Sequence, residues 1–171
     1  MAVRYEINPA VHLTTGTSGD PGQRVFYLQA GDGTETITLI IEKIQLLSLE
    51  QSGEQFVRDL EQRYPDISPA SGEIIEEEMS LDKPFDPLFR VGNLGLGYDE
   101  EKDMIVVMAR EIELEDSDTS TVRIWCTRSQ LRALCAYGLI IANRGRPLCP
   151  QCGQPMDPEG HFCPKRNGHK H

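Results

Sequence analysis

Long apolar runs are missing: no stretch of the chain approaches the ~20 residues that a bilayer-spanning helix needs, which excludes a helical membrane protein. Basic residues are also scarce. Lys and Arg number 17 against 27 Asp and Glu, a net charge of −10, and a surface of that sign argues against general binding to phosphate backbones. Histidine is rarer still. His12 is the only one of four upstream of position 161, so no Ser-His-Asp or Cys-His nucleophile set stands out. The cysteines are five, an odd count, and Met1–Ile7 resembles neither a signal nor a transit peptide, so a disulfide framework is not expected. What remains is an ordinary globular composition and 171 residues, enough for one domain with a small appendage. A cytoplasmic protein is expected.

The charge is unevenly spread. From Met1 to Ala142 there are 12 basic and 25 acidic side chains, a balance of −13, whereas Asn143–His171 carries 5 basic and 2 acidic, a balance of +3. Such asymmetry marks a module boundary. Three cysteines, Cys149, Cys152 and Cys163, lie beyond it. Cys126 and Cys135 sit in apolar stretches and read as packing residues.

Ala2–Ile7 alternates in the manner of a short strand. His12–Gly22, rich in Thr, Gly and Ser and containing Asp20-Pro21-Gly22, reads as a turn region. Arg24–Ala30 and Thr36–Glu42 read as strands joined by the hairpin residues Gly31-Asp32-Gly33. Between Lys43 and Tyr64 the period becomes helical, with Ile44, Leu47, Phe56, Val57, Leu60 and Tyr64 on one face and Gly53 weakening the middle. Residues 66–87, with Glu76-Glu77-Glu78 and three prolines, read as an acidic linker with a short helical turn near Ile74–Met79. Three further strands follow, over Leu88–Tyr98, Met104–Leu114 and Thr121–Cys126. Thr127 then reads as the cap of a helix running to about Asn143. That helix buries Leu131, Leu134, Cys135, Gly138, Ile141 and Ala142, and Gly145 and Pro147 close it.

These elements define an α+β protein of antiparallel sheets and two amphipathic helices. The body spans 1–146, with halves 1–65 and 88–146 on either side of linker 66–87, and a metal-binding tail spans 147–171. The order strands–helix, linker, strands–helix fits a duplicated unit. It equally fits one mixed sheet with two helices on one face.

The most specific motif is Cys149-Pro150-Gln151-Cys152-Gly153. Two residues between the cysteines let both thiolates face one ion, and glycine relieves the backbone where amides turn toward sulfur. Cys163 supplies a third ligand. The fourth is His161 or His169, and the extended spacing from His161 to Cys163 favours His161. A shell of three Cys and one His leaves no open position, so the expected Zn²⁺ is structural. Weaker signals read as structure. Gly16–Gly22 lacks the Gly-Lys-Ser/Thr ending of a phosphate loop and reads as a turn. Gly92, Gly95 and Gly97 indicate close strand packing or a bulge. The acidic run Glu73–Asp86 reads as solvated. Arg24, Arg90 and Arg123 read as partners of nearby carboxylates.

Several segments together are familiar: Gly19–Ala30, Glu42-Lys43, Phe89–Gly92, Leu96–Asp99 and above all Gly145–Gly168. They resemble an uncharacterised bacterial family of unknown function, best known from actinobacteria, whose tail pattern includes Cys-Pro-x-Cys-Gly and Gly-His-x-Cys-Pro. The resemblance covers nearly the whole chain and places His161 inside the motif. Lys165 stands where the pattern has Arg, and Cys126 where it has an aliphatic residue. The resemblance implies no settled activity. It does imply partners, because members are often encoded beside kinase-like and histidine-phosphatase-like proteins.

The residues therefore lean against an enzyme and toward a zinc-containing protein-interaction or regulatory module. Nucleic-acid binding through the basic tail (Arg144, Arg146, Lys165, Arg166) is the first alternative. An enzyme with a site on the sheet around Arg24, Arg90 and His12 is the second.

Overall fold

The computed structural model describes residues 4–20, 22–114 and 118–144. The class is α+β. In chain order the elements are β1 (Arg4–Ile7), β2 (His12–Ser18), β3 (Val25–Gly31), β4 (Thr36–Ile41), α1 (Lys43–Arg63), a 3₁₀ turn (Glu76–Met79), β5 (Val91–Asp99), β6 (Met104–Glu111), β7 (Thr121–Cys126) and α2 (Arg128–Asn143). They form two sheets, with order β2-β3-β4 and β1-β7-β6-β5. All neighbours are antiparallel except β1 and β7. Backbone bonds stitch the sheets together on both sides. Leu88 N–H donates to Thr38 O and Ile40 N–H to Phe89 O, while Ala10 N–H donates to Trp125 O and Val11 N–H to Gly31 O. One buried apolar cluster is shared by both sheets and both helices.

Each of β2-β3-β4-α1 and β5-β6-β7-α2 is an antiparallel meander feeding a helix, and their registers correspond. Phe26, Leu28 and Ala30 of β3 pair with Ile41, Leu39 and Ile37, as Ile105, Val107 and Ala109 of β6 pair with Cys126, Ile124 and Val122. Without a gap, Thr36–Gly53 lines up with Thr121–Gly138, sharing Thr36/Thr121, Gln45/Gln130, Leu46/Leu131, Leu49/Leu134 and Gly53/Gly138. The glutamines do the same work. Gln45 accepts from the Glu42 amide and Gln130 from the Thr127 amide, each closing a capping box.

The shared glycines explain the helix contact. A Cβ on Gly53 would lie 2.5 Å from Cys135 Sγ, and one on Gly138 would lie 2.8 Å from Leu46 Cδ1. Their absence lets the two helices approach. This contact also sets the phase of α1, whose buried positions are Leu46, Leu49, Gly53, Val57 and Leu60. The expected face was rotated: Val57 and Leu60 are correct, but Ile44 is 75% exposed. The face of α2 is as expected, extended by Arg128 and Tyr137.

The Thr- and Gly-rich stretch expected as a turn is strand β2, and only its end, with Gly19 and Gly22 at positive φ, turns. Its hydroxyls are bonded where they are buried: Thr15 donates to Tyr27 O and Thr14 to Met79 O. Residues 79–88 cross the outer face of the three-stranded sheet as a strap. Asp82 exchanges both main-chain groups with the fully buried Gln29 amide, and Phe85 packs edge-on to Tyr27 at 4.9 Å. Gly16 is bare because Leu81 lies on it. The bulge expected among the glycines of β5 falls between Val91 and Asn93, where a Cβ on Gly92 would lie 2.8 Å from Ile112 Cα.

Candidate functional site

Two surface clefts stand out among the described residues. The first lies between α1 and β5. β4 turns into α1 immediately after touching the start of β5, so α1, rather than another strand, runs beside the β5 edge. The Gln45 side chain reaches across and donates to Val91 O. Beyond that point, no strand pairs with the outer side of β5 among the described residues. The resulting cleft has a volume of about 520 Å³, with Ile44, Ser48 and Phe56 on the helix side and Leu94 and Leu96 on the strand side.

The second cleft, of about 610 Å³, lies on the outer face of the four-stranded sheet and includes Arg4, Glu6, Arg110, Thr119, Thr121 and Arg123. Register places these groups. Arg4 and Arg110 flank Thr121 from the two neighbouring strands, and Arg123 stands one row along between Glu6 and Met108. Glu6 is engaged by Trp125 Nε1–H at 2.6 Å, Arg123 lies over the Trp125 ring, and Arg110 lies 3.7 Å from Glu113.

A third polar cluster is structural. Arg128 opens α2 with only 6% of its side chain exposed, holds Asp103 through two bonds of 2.9 and 3.0 Å, and donates to Ser68 O. Tyr98 O–H donates to the same carboxylate. Burial first, then the Asp103 bond, pushes the Tyr98 hydroxyl up to about 12, and the Arg128 bonds hold Asp103 below the usual carboxylate range. Arg132 grips Glu54 in the same way one turn along.

The predicted metal ligands Cys149, Cys152, His161 and Cys163 lie outside the described residues. Cys126 and Cys135 are free and buried, as expected. Burial pushes both thiols up to about 12, so neither is a thiolate at neutral pH. Arg24, Arg90 and His12, the side chains of the alternative sheet-borne active site, are dispersed. Arg90 pairs with Glu42 at 2.6 Å, Arg24 lies over Phe26, and His12 Nε2 bonds Gln29 Oε1 on the strapped face. Neither cleft includes any of them. Of the arginines singled out in the sequence, only Arg123 lies on the cationic face. Arg4 and Arg110 were missed, although the alternation of Met108 and Arg110 with the buried Val107 and Ala109 marks them as outward-facing. No helix among the described residues is long and apolar enough to cross a membrane.

The fold and its surfaces thus define a two-unit α+β protein with one apolar helix–strand cleft and one arginine-bearing sheet face. The chain belongs to the protein family of unknown function DUF3090, whose profile matches residues 5–163. That match extends through Cys163. No curated protein and no solved structure matches the chain.

Proposed function

We propose that this protein is a non-enzymatic interaction module that takes an extended segment of a partner protein along the edge of β5. The carrying observation is the cleft itself. A strand edge with no strand partner among the described residues offers backbone donors and acceptors, and the apolar walls from α1 and β5 offer room for alternate side chains of an added strand. Kinase-like and phosphatase-like proteins are the partner classes suggested by the family resemblance.

The test is selection from a random peptide library displayed on phage, using the full chain. Binders with alternating apolar residues are expected, and they should slow amide exchange over Asn93–Tyr98. Ser52→Trp, an exposed position on the cleft wall, fills the groove and should abolish binding without lowering the melting temperature. Binders indifferent to Ser52→Trp, or no binders, would overturn the reading.

The tail supplies a second element. Three thiolates and one imidazole, Cys149, Cys152, Cys163 and His161, are a donor set suited to structural zinc, and all four lie within the family match. The purified chain is expected to carry about one zinc per molecule by elemental analysis. Cys152→Ser should lose it, whereas His169→Ala should retain it. Zinc-free protein would refute the assignment, and loss in His169→Ala would move the fourth ligand there.

A further inference from the structure

The two units offer corresponding outer faces, and one of them is already covered. On the first, Thr14, Gln29 and Thr38 form one row across β2-β3-β4, and Gly16, Tyr27 and Ile40 the next. The strap lies over these rows, fixed by main-chain bonds to Thr14 and Gln29 and by Met79, Leu81 and Phe85. The corresponding rows of the second unit are Gly95, Met108 and Arg123, then Gly97, Val106 and Trp125. Among the described residues no strap is bonded across them, although Val106 is only 5% exposed and Lys102 Nζ stands 5.7 Å from the Trp125 ring centroid. Met108 is 39% exposed and lies against the two glycines, with its Cε 3.6 and 3.7 Å from where their Cβ atoms would be.

The bare face differs from the strapped one in charge. Arg4, Arg110 and Arg123 are all exposed on it, in a body whose balance from Met1 to Ala142 is −13. Their positions along the strands follow from register. Arg4 and Arg110 stand two strand spacings apart, roughly 10 Å, and Arg123 is offset by about 7 Å along the strand. Carboxylates on alternate residues of an extended chain recur at about the same interval. The basic tail, with its balance of +3, has the wrong sign for this surface.

We infer that the outer face of β1-β7-β6-β5 docks an acidic, extended segment of a partner polypeptide. Its carboxylates pair with Arg4, Arg110 and Arg123, and its backbone passes over Met108 and the glycines, as the strap passes over the first unit. Arg123 is held over Trp125, which is itself fixed by Glu6, so this guanidinium is oriented before the ligand arrives. The face is separate from the α1–β5 cleft and does not depend on it.

The test is fluorescence anisotropy with the full chain and three labelled probes: a twelve-residue peptide alternating Glu and Val, its Lys/Val counterpart, and a twelve-nucleotide single-stranded RNA. The Glu/Val peptide should bind, and weaken with added salt. The triple variant Arg4→Gln, Arg110→Gln, Arg123→Gln should bind it at least tenfold more weakly while still melting cooperatively, because all three side chains are exposed and neutral replacements set no like charge against Glu6 or Glu113. Ser52→Trp should bind as wild type, which separates this proposal from the cleft. Failure of the Glu/Val peptide to bind, equal binding by the triple variant, or tighter binding of RNA through the same arginines would overturn it.

Discussion

Asp103→Asn is expected to lower folding stability by about 2–3 kcal/mol, or roughly 5–10 °C in melting temperature for a chain of this size. The reason lies with its partner. Arg128 is buried and cannot be neutralised, so removing the carboxylate leaves a guanidinium facing Tyr98, Ser68 O and, at 3.7 Å, Glu61. Breaking a buried pair costs ~3–5 kcal/mol. The expected loss lies at or just below the bottom of that range because Asp103 is 43% exposed and Glu61 remains. Asp103 also sits at φ 51°. Asparagine tolerates that conformation, whereas Asp103→Ala should cost about 1 kcal/mol more. Arg128→Met in the Asp103→Asn background removes the stranded charge and should recover part of the loss. If Asp103→Asn melts with the wild type, the pair contributes nothing.

The same pair fixes the sign of an acid dependence. Arg128 lowers the folded-state pKa of Asp103, and Arg132 lowers that of Glu54. A lowered carboxylate contributes stability that is complete above the ordinary range, about pH 4, and is lost as pH falls through the lowered value. The wild type should therefore destabilise progressively below about pH 4, and Asp103→Asn should show a shallower decline.

How much of this was readable beforehand divides along physical lines. Alternation, hairpin, capping and α2 packing signals are local, and they mark six of the seven described strands and both helices. The turn signal over β2 comes from Gly16, Ser18 and the adjacent Asp20-Pro21-Gly22, and it outweighs the β-branched Thr14, Thr15 and Thr17, which favour a strand. Their burial depends on the strap, whose Met79 arrives from 65 residues away. The phase of α1 was misread for the same kind of reason: Gly53 looks like a helix weakness until the Cys135 thiol is known to fill its place. The repeat shows in the alignment of Thr36–Gly53 with Thr121–Gly138 only after pairing registers reveal which positions correspond. The arginine face was invisible as a set because β1 joins β7 in parallel across most of the chain, which no spacing rule foretells.

Gly53 supplies the sharpest check on the helix contact. In an isolated helix Gly→Ala stabilises by about 1 kcal/mol. Here Gly53→Ala should instead destabilise by about 2 kcal/mol, because its methyl group would sit 2.5 Å from Cys135 Sγ and must displace a buried core side chain. Cys135→Ala removes the obstructing sulfur and alone should cost about 1 kcal/mol through its cavity. Combined, the two changes should be less damaging than Gly53→Ala alone, a coupling of roughly 2 kcal/mol between touching residues. Gly138→Ala meets Leu46 Cδ1, the far end of a longer side chain, so it should cost less than Gly53→Ala. Urea unfolding of the four variants and the wild type reads all of these differences. Additive effects of Gly53→Ala and Cys135→Ala would mean that the helices do not meet where these glycines place them.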